Sequence, residues 1–304
     1  MDGPIVPTKE DGMSMTGEKF VDVDGIRTRY FEKGEGETVV LFHGGSFGST
    51  SSADSADDWG LNFDGLSNWC RVFAIDKLGQ GYTDNPKSDN DYTMHAVVQH
   101  AFGTLRALGI DQAHVVGHSR GGYLVCRLTV EHPELVKSCV IVDSNTCAPG
   151  TGRNEFVFAN MPKPALSAET QRWVLEKYSY NADCVTDDWI DALVKISEQP
   201  KYEQAVQKMS GEGYLWTKFL PGILTQKEEM FRIIQTRGIQ RPVMQIWGYN
   251  DPTVSLDQAM QLYRILAEKE RRARWQVFNQ SGHFSFREHP QRFNDILKSF
   301  IQAP

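Results

Sequence analysis

The sequence predicts an α/β protein with a mostly parallel central sheet, helices on both faces and a helical lid inserted between two sheet strands. Three observations carry that prediction. Short apolar runs recur without alternation, as strands covered on both faces require. Stretches of helical spacing separate them at the pace of βαβ units. From residue 148 to residue 237 the apolar spacing turns helical throughout, and strand-like runs resume only afterwards.

Taken in order, Phe20–Val23 and Arg27–Glu32 flank Asp24-Gly25, a turn pair that favours a two-stranded hairpin. Thr38–Phe42 is a continuous apolar run halted by His43-Gly44-Gly45. Arg71–Ile75, His114–Val116 and Ser138–Val142 read as three more covered strands. Met94–Leu108 and Tyr123–His132 read as helices, the second ended by Pro133. The long helical stretch carries scattered aromatics, among them Trp173, Trp189 and Trp216. Beyond it, Pro242–Trp247 and Arg274–Phe278 return as strands around a helix at Leu256–Leu266. A closing helix, Pro290–Ile301, places Phe293, Ile296, Leu297 and Phe300 at core-facing spacing. The expected division is therefore a core of residues 1–147 and 238–304 with a lid of residues 148–237.

Composition narrows the function. With 304 residues, 40% hydrophobic and 23% charged, the chain has ordinary globular composition and length for a sizeable core. The balance of 39 acids against 32 bases, net −7, argues against nucleic acid, whose phosphates need clustered cations. The one dense basic stretch, Lys269 to Arg274, is interleaved with Glu268 and Glu270 and reads as a solvated helix end. No apolar run approaches the roughly 18–20 residues that span a bilayer. Residues 1–19 show no apolar secretory core, so no membrane and a cytoplasmic location are expected. Five cysteines (Cys70, Cys126, Cys139, Cys147, Cys184) are odd in number and form no CxxC pair. Free buried thiols are expected, with no disulfide, metal or cofactor.

Gly117-His118-Ser119-Arg120-Gly121 is a G-x-S-x-G pentapeptide with an apolar strand leading in and a helix leading out. That context is a nucleophile elbow, where small neighbours let a strained turn lift the serine hydroxyl clear of the strand end. A serine needs a base, and the base needs an orienting acid. His283, in Ser281-Gly282-His283 after a strand end, is the candidate base. Asp251, just past Pro242–Trp247, is the candidate acid, with Asp143 as its rival. The order Ser119, Asp251, His283 is one of the known chain orders of a serine triad. The oxyanion donors expected are the backbone N–H groups of Arg120 and of Gly45, in the turn His43-Gly44-Gly45-Ser46.

These features together resemble the α/β-hydrolase superfamily from about Phe20 to Ile301. More closely, the chain is similar to the meta-cleavage-product hydrolases, which split a C–C bond in ring-opened aromatic dienols. The residues that carry this are His43-Gly44-Gly45, Asp76…Gly79-x-Gly81, Gly117–Gly122, Trp247-Gly248-x-x-Asp251, Ser281-Gly282-His283 and the stretch Cys184–Asp188. The resemblance implies the α/β-hydrolase fold, with Ser119, Asp251 and His283 as nucleophile, acid and base and Gly45 and Arg120 as oxyanion hole. It also implies a substrate pocket near Gly44, Ser46, His118, Leu193, Trp216 and Phe284, and it allows a homodimer.

Three positions depart from that group. His118 stands where Asn usually precedes the nucleophile, Phe284 where Trp usually follows the catalytic His, and Leu193 where a lid Arg holds the dienol carboxylate. Arg120 and Arg153 are the other candidate carboxylate partners, although solvated surface arginine is the ordinary reading of each. The departures point to the related monoalkyl phthalate esterases. The reading from sequence is a serine hydrolase of a small aromatic carboxylic ester acting through an acyl-enzyme, with C–C hydrolysis of a meta-cleavage product as the alternative.

Overall fold

The hairpin opens the sheet. Asp24 and Gly25 both take positive φ, 52° and 76°, the turn geometry that preserves the twist between β1 (Lys19–Val23) and β2 (Ile26–Lys33). The computed structural model describes residues 15–303, so most of the N-terminal stretch read for a secretory core lies outside the described residues. Six strands follow: β3 (Thr38–Phe42), β4 (Arg71–Ile75), β5 (Ala113–His118), β6 (Val136–Val142), β7 (Val243–Gly248) and β8 (Arg274–Phe278). They form one sheet in the order β1-β2-β4-β3-β5-β6-β7-β8, with β2 alone running against the rest. The protein therefore has the α/β-hydrolase fold expected from its sequence.

The helices are α1 (Gly60–Ser67), α2 (Met94–Ala107), α3 (Arg120–Glu131), α4 (Glu155–Asn160), α5 (Ala168–Tyr178), α6 (Asp187–Ser197), α7 (Pro200–Val206), α8 (Leu220–Arg237), α9 (Leu256–Ala267), α10 (Ser285–Glu288) and α11 (Pro290–Ile301). Two apolar layers sandwich the sheet. On one face Val97 of α2, Leu124 of α3, Met230 of α8 and Leu262 of α9 pack on the strands. On the other, Leu66 of α1 and Leu297 of α11 do so, and Leu193 and Ile196 of α6 join the same apolar cluster. Strands covered on both faces explain the continuous apolar runs.

Helices α4 to α8 fill the interval between β6 and β7, with no strand among them. The last of these belongs by packing to the layer over the sheet: α8 lies on α2, α3 and α9, and buries Met230 and Ile234 there. Apolar spacing does not tell which body a helix packs on, and within the stretch 148–237 expected as a lid α8 shares the layer over the sheet. Just before α8, Gln207–Gly211 and Leu215–Phe219 widen into π-helical turns, a device frequent at functional sites. Among the described residues no helix is long and apolar enough to cross a membrane. The five cysteines are buried and free.

The Asp76…Gly81 segment proves to be a structural hub. The Asp76 carboxylate accepts from Arg29 Nε at 2.6 Å and from the amides of Ala56 and Tyr82 at 2.7 Å each. This pins the loop that follows β4 against the one that follows β3.

Candidate active site

The turn from β5 into α3 is made at Ser119, whose φ of 52° and ψ of −118° are strained for a residue with a Cβ. Holding such a conformation costs of order 1–3 kcal/mol and requires surroundings that dictate it. They do. The Ser119 amide donates to Val142 O at 2.9 Å, and the Ser119 carbonyl accepts from the Gly122 amide at 2.9 Å and from Ser144 Oγ. A Cβ on Gly117 would come within 2.0 Å of Gly121 O, and one on Gly121 within 2.4 Å of Phe42 O. The two glycines of the pentapeptide are therefore demanded by close backbone approach.

His283 and Asp251 are brought together. His283 Nδ1 lies 2.9 Å from Asp251 Oδ2, and Asp251 Oδ1 accepts from Thr253 N and Oγ1 at 2.8 and 2.7 Å. Both ends of the His283 peptide are also held. Its N–H donates to Tyr178 O at 2.8 Å, at the end of α5, and its carbonyl accepts from His118 Nε2 at 2.8 Å. Burial pulls the imidazole toward its neutral form, but Asp251, supported by Asp143 and Asp54, raises its pKa above the ordinary histidine value. The rival acid is otherwise engaged: Asp143 accepts from Gly248 N at 2.7 Å and from Ser285 N and Oγ at 3.1 and 2.6 Å. Burial, with Asp251 nearby, pushes Asp143 well above the usual carboxylate range. It staples β6 to β7 and α10.

Ser119, His283, Gly45 and Arg120 line one cavity of about 490 Å³. Ser46, His118, Phe284 and Trp216 face it too, with Trp216, 72% exposed, at its mouth. Two expected pocket residues do not. Gly44 is tucked behind the wall, against the His118 ring and the Ser119 Cβ. Leu193 is fully buried in the apolar cluster that α6 shares with α1 and α11, and it is not part of the cavity wall. It vacates no carboxylate site. Arg120, read as a solvated surface arginine, instead lines the cavity, whereas Arg153 is exposed and outside the lining.

His118 is held neutral by burial, well below the ordinary histidine pKa. Its Nε2 donates to the His283 carbonyl and so ties the loop bearing His283 to the end of β5. The Gly45 turn has a comparable support: Lys77 Nζ donates to Gly45 O at 2.9 Å, and the Lys77 amide donates to His43 Nε2 at 3.1 Å. Lys77, Thr253, Tyr178 and Asp54 were not singled out from sequence. Asp54 had one available signal, a lone acid inside the serine-rich loop Ser49–Ser55 that follows the glycine turn.

A strained serine at a strand-to-helix turn, an imidazole oriented by a buried carboxylate and a glycine turn beside the serine are parts for acyl or ketone attack. A family model described as alpha/beta hydrolase fold matches residues 37–290. The chain is similar to a 2-hydroxymuconate semialdehyde hydrolase of Pseudomonas sp. (strain CF600), 28% identical over 91% of each chain. It is 26% identical to a 2-hydroxy-6-oxo-6-(2'-aminophenyl)hexa-2,4-dienoic acid hydrolase of Metapseudomonas resinovorans, covering 93% of this chain and 90% of that one. Among solved structures it resembles a meta-cleavage product hydrolase from Pseudomonas fluorescens IP01, with a TM-score of 0.74, 27% identity, and 93% and 97% of the two chains covered.

Proposed function

Since the chain belongs to the alpha/beta hydrolase fold family, we propose that it hydrolyses a carbon–carbon bond in a ring-opened aromatic dienol bearing a carboxylate. The carrying observation is end-to-end similarity, over about nine-tenths of both chains, to hydrolases named for such dienoates. This reverses the preference drawn from the three departures. One of them lost its basis, because Leu193 does not face the cavity and so its identity says nothing about the substrate.

Ser119 is the nucleophile, His283 the base and Asp251 the acid that orients it, with the amides of Gly45 and Arg120 as oxyanion donors. The dienol must first become a ketone, so His283 shuttles a proton from the enol oxygen to the chain carbon. It then takes the Ser119 proton as the hydroxyl attacks the remaining ketone carbonyl. The two amides hold the oxygen that becomes negative, a contribution of about 10²–10³ in rate per donor. C–C scission sends the electron pair of the broken bond into the leaving dienolate, which takes its proton from the His283 imidazolium and departs as an enol. The acyl-serine that remains is attacked by water, deprotonated by the now neutral His283, and Ser119 regains its proton as the acid leaves. Five free thiols suit a reducing compartment, and we place the enzyme in the cytoplasm.

Ester cleavage is the second reading. It is favoured by His118, which stands at the cavity in place of the usual Asn and commits its Nε2 donor to the His283 carbonyl. A paired spectrophotometric assay separates the two, with a coloured ring-cleavage dienol in one cuvette, monoalkyl phthalates in the other and Ser119→Ala as blank. Dienol bleaching with slow esters is expected. Efficient ester turnover beside a stable dienol would install the second reading.

A further inference from the structure

Four arginines reach into the interior near the sheet, and three are fully partnered. Arg29 pairs with Asp76 and Asp57 at 2.6 Å each. Arg127 is bracketed by Glu131 and Glu229. Arg287 donates to Asp58 O and Cys184 O and stacks on Trp189. Arg120 is the exception. Among the described residues no acid lies within ion-pair distance of it, its Nε is buried without an acceptor, and the Phe219 ring centre lies 5.6 Å from its guanidinium carbon. It lines the substrate cavity from the first turn of α3, one residue after the nucleophile.

A half-buried guanidinium with no acid in ion-pair distance is costly, and its planar fork matches a carboxylate in two parallel hydrogen bonds. We infer that the Arg120 side chain is the carboxylate-holding group of this cavity, and that the Asp54 carboxylate is the resident anion with which a substrate competes. The inference rests on the proposed class of carboxylated substrate and locates where on the enzyme that charge is read. Asp54 lines the same cavity and lies so close over Gly45 that a Cβ there would fall within 2.0 Å of its Oδ2. Burial pushes Asp54 toward its protonated form, against the pull of Lys77, Arg120 and His283. A half-committed counter-ion of this kind leaves Arg120 free to be claimed. The placement also answers why Leu193 is dispensable: the cation stands on the nucleophile's own helix, where the positive helix end adds to it.

The test is binding without turnover. In the Ser119→Ala enzyme, titrated by calorimetry, benzoate should bind about 10–100-fold more tightly than benzamide, its neutral counterpart, the range typical of hydrogen bonds between charged groups. Adding Arg120→Met should erase that ratio, and Arg120→Lys should retain part of it. Adding Asp54→Asn should tighten benzoate severalfold, because the competing anion is gone. Equal loss of both probes in Arg120→Met, or benzoate weakened by Asp54→Asn, would overturn the inference in favour of a packing role. The outcome is independent of which bond is cut. A preserved ratio in an enzyme inert to dienols would sink the proposed reaction and leave Arg120 in place, and dienol turnover with no ratio would do the reverse.

Discussion

Gly121 shows how local rules can be inverted by one contact. In a helix interior, alanine is preferred over glycine by about 1 kcal/mol. Here the added methyl would sit 2.4 Å from Phe42 O and 2.5 Å from His43 O, both backbone atoms that cannot swing away. Gly121→Ala should therefore destabilise by about 1–3 kcal/mol, read as a lower urea midpoint, and an unchanged midpoint would mean that the elbow is looser than drawn. His283 carries the second prediction at this scale. Burial lowers its pKa, yet Asp251 at 2.9 Å prevails and raises it. A base works only when deprotonated, so the acid limb of kcat/KM should lie above the ordinary imidazole value and activity should fall as pH drops through it. Asp251→Asn removes the raising charge. The limb should move to lower pH while kcat falls about 10⁴-fold; a limb that stays put would assign it to another group.

At the scale of elements, α6 shows a helix whose type is readable but whose facing is not. Its acidic first turn (Asp187, Asp188) and the spacing of Trp189, Ile190, Leu193 and Ile196 are ordinary helix signals. Which neighbour receives that stripe is a tertiary matter, and the stripe meets Phe284 and the residues under α11. Leu193→Arg would thus bury a guanidinium with no carboxylate to meet. It should cost about 3–5 kcal/mol and lower Tm, with no gain in affinity for a carboxylated dienol. A stable variant with improved affinity would restore the lid-arginine position. The elbow helix α3 differs in the other direction. It begins at Arg120, ahead of the Tyr123 expected from apolar spacing, because Ser119 turns the chain directly into it.

At the scale of the whole molecule, the segment after α5 and the loop bearing His283 are fastened together. Glu288 of α10 accepts from Gly282 N at 2.7 Å, Asn181 N at 2.8 Å and Tyr180 N at 3.0 Å, and His283 N donates to Tyr178 O. One carboxylate thereby ties the segment after α5 to the loop that carries the base. Glutamine offers one acceptor and places an N–H donor against amides that also donate, so Glu288→Gln should forfeit about 1–3 kcal/mol of this attachment. Hydrogen exchange at Tyr180 and Asn181 should quicken, with kcat reduced. Unaltered exchange would show that the lid is held elsewhere.

From the sequence alone one could read the alternation of covered strands and helices, the hairpin turn, the elbow around Ser119 and the loops bearing Asp251 and His283. Each of these is written in short-range chemistry: apolar period, turn residues, glycine at close approach. The strand order, the packing of α8 on the sheet layer, the burial of Leu193 and the isolation of Arg120 beside Asp54 were decided only by tertiary structure. Whether an arginine is solvated or stranded in a cavity depends on which acids come within about 4 Å, and those acids sit far away along the chain. A sequence names the charges; the fold alone determines which of them are left without a partner.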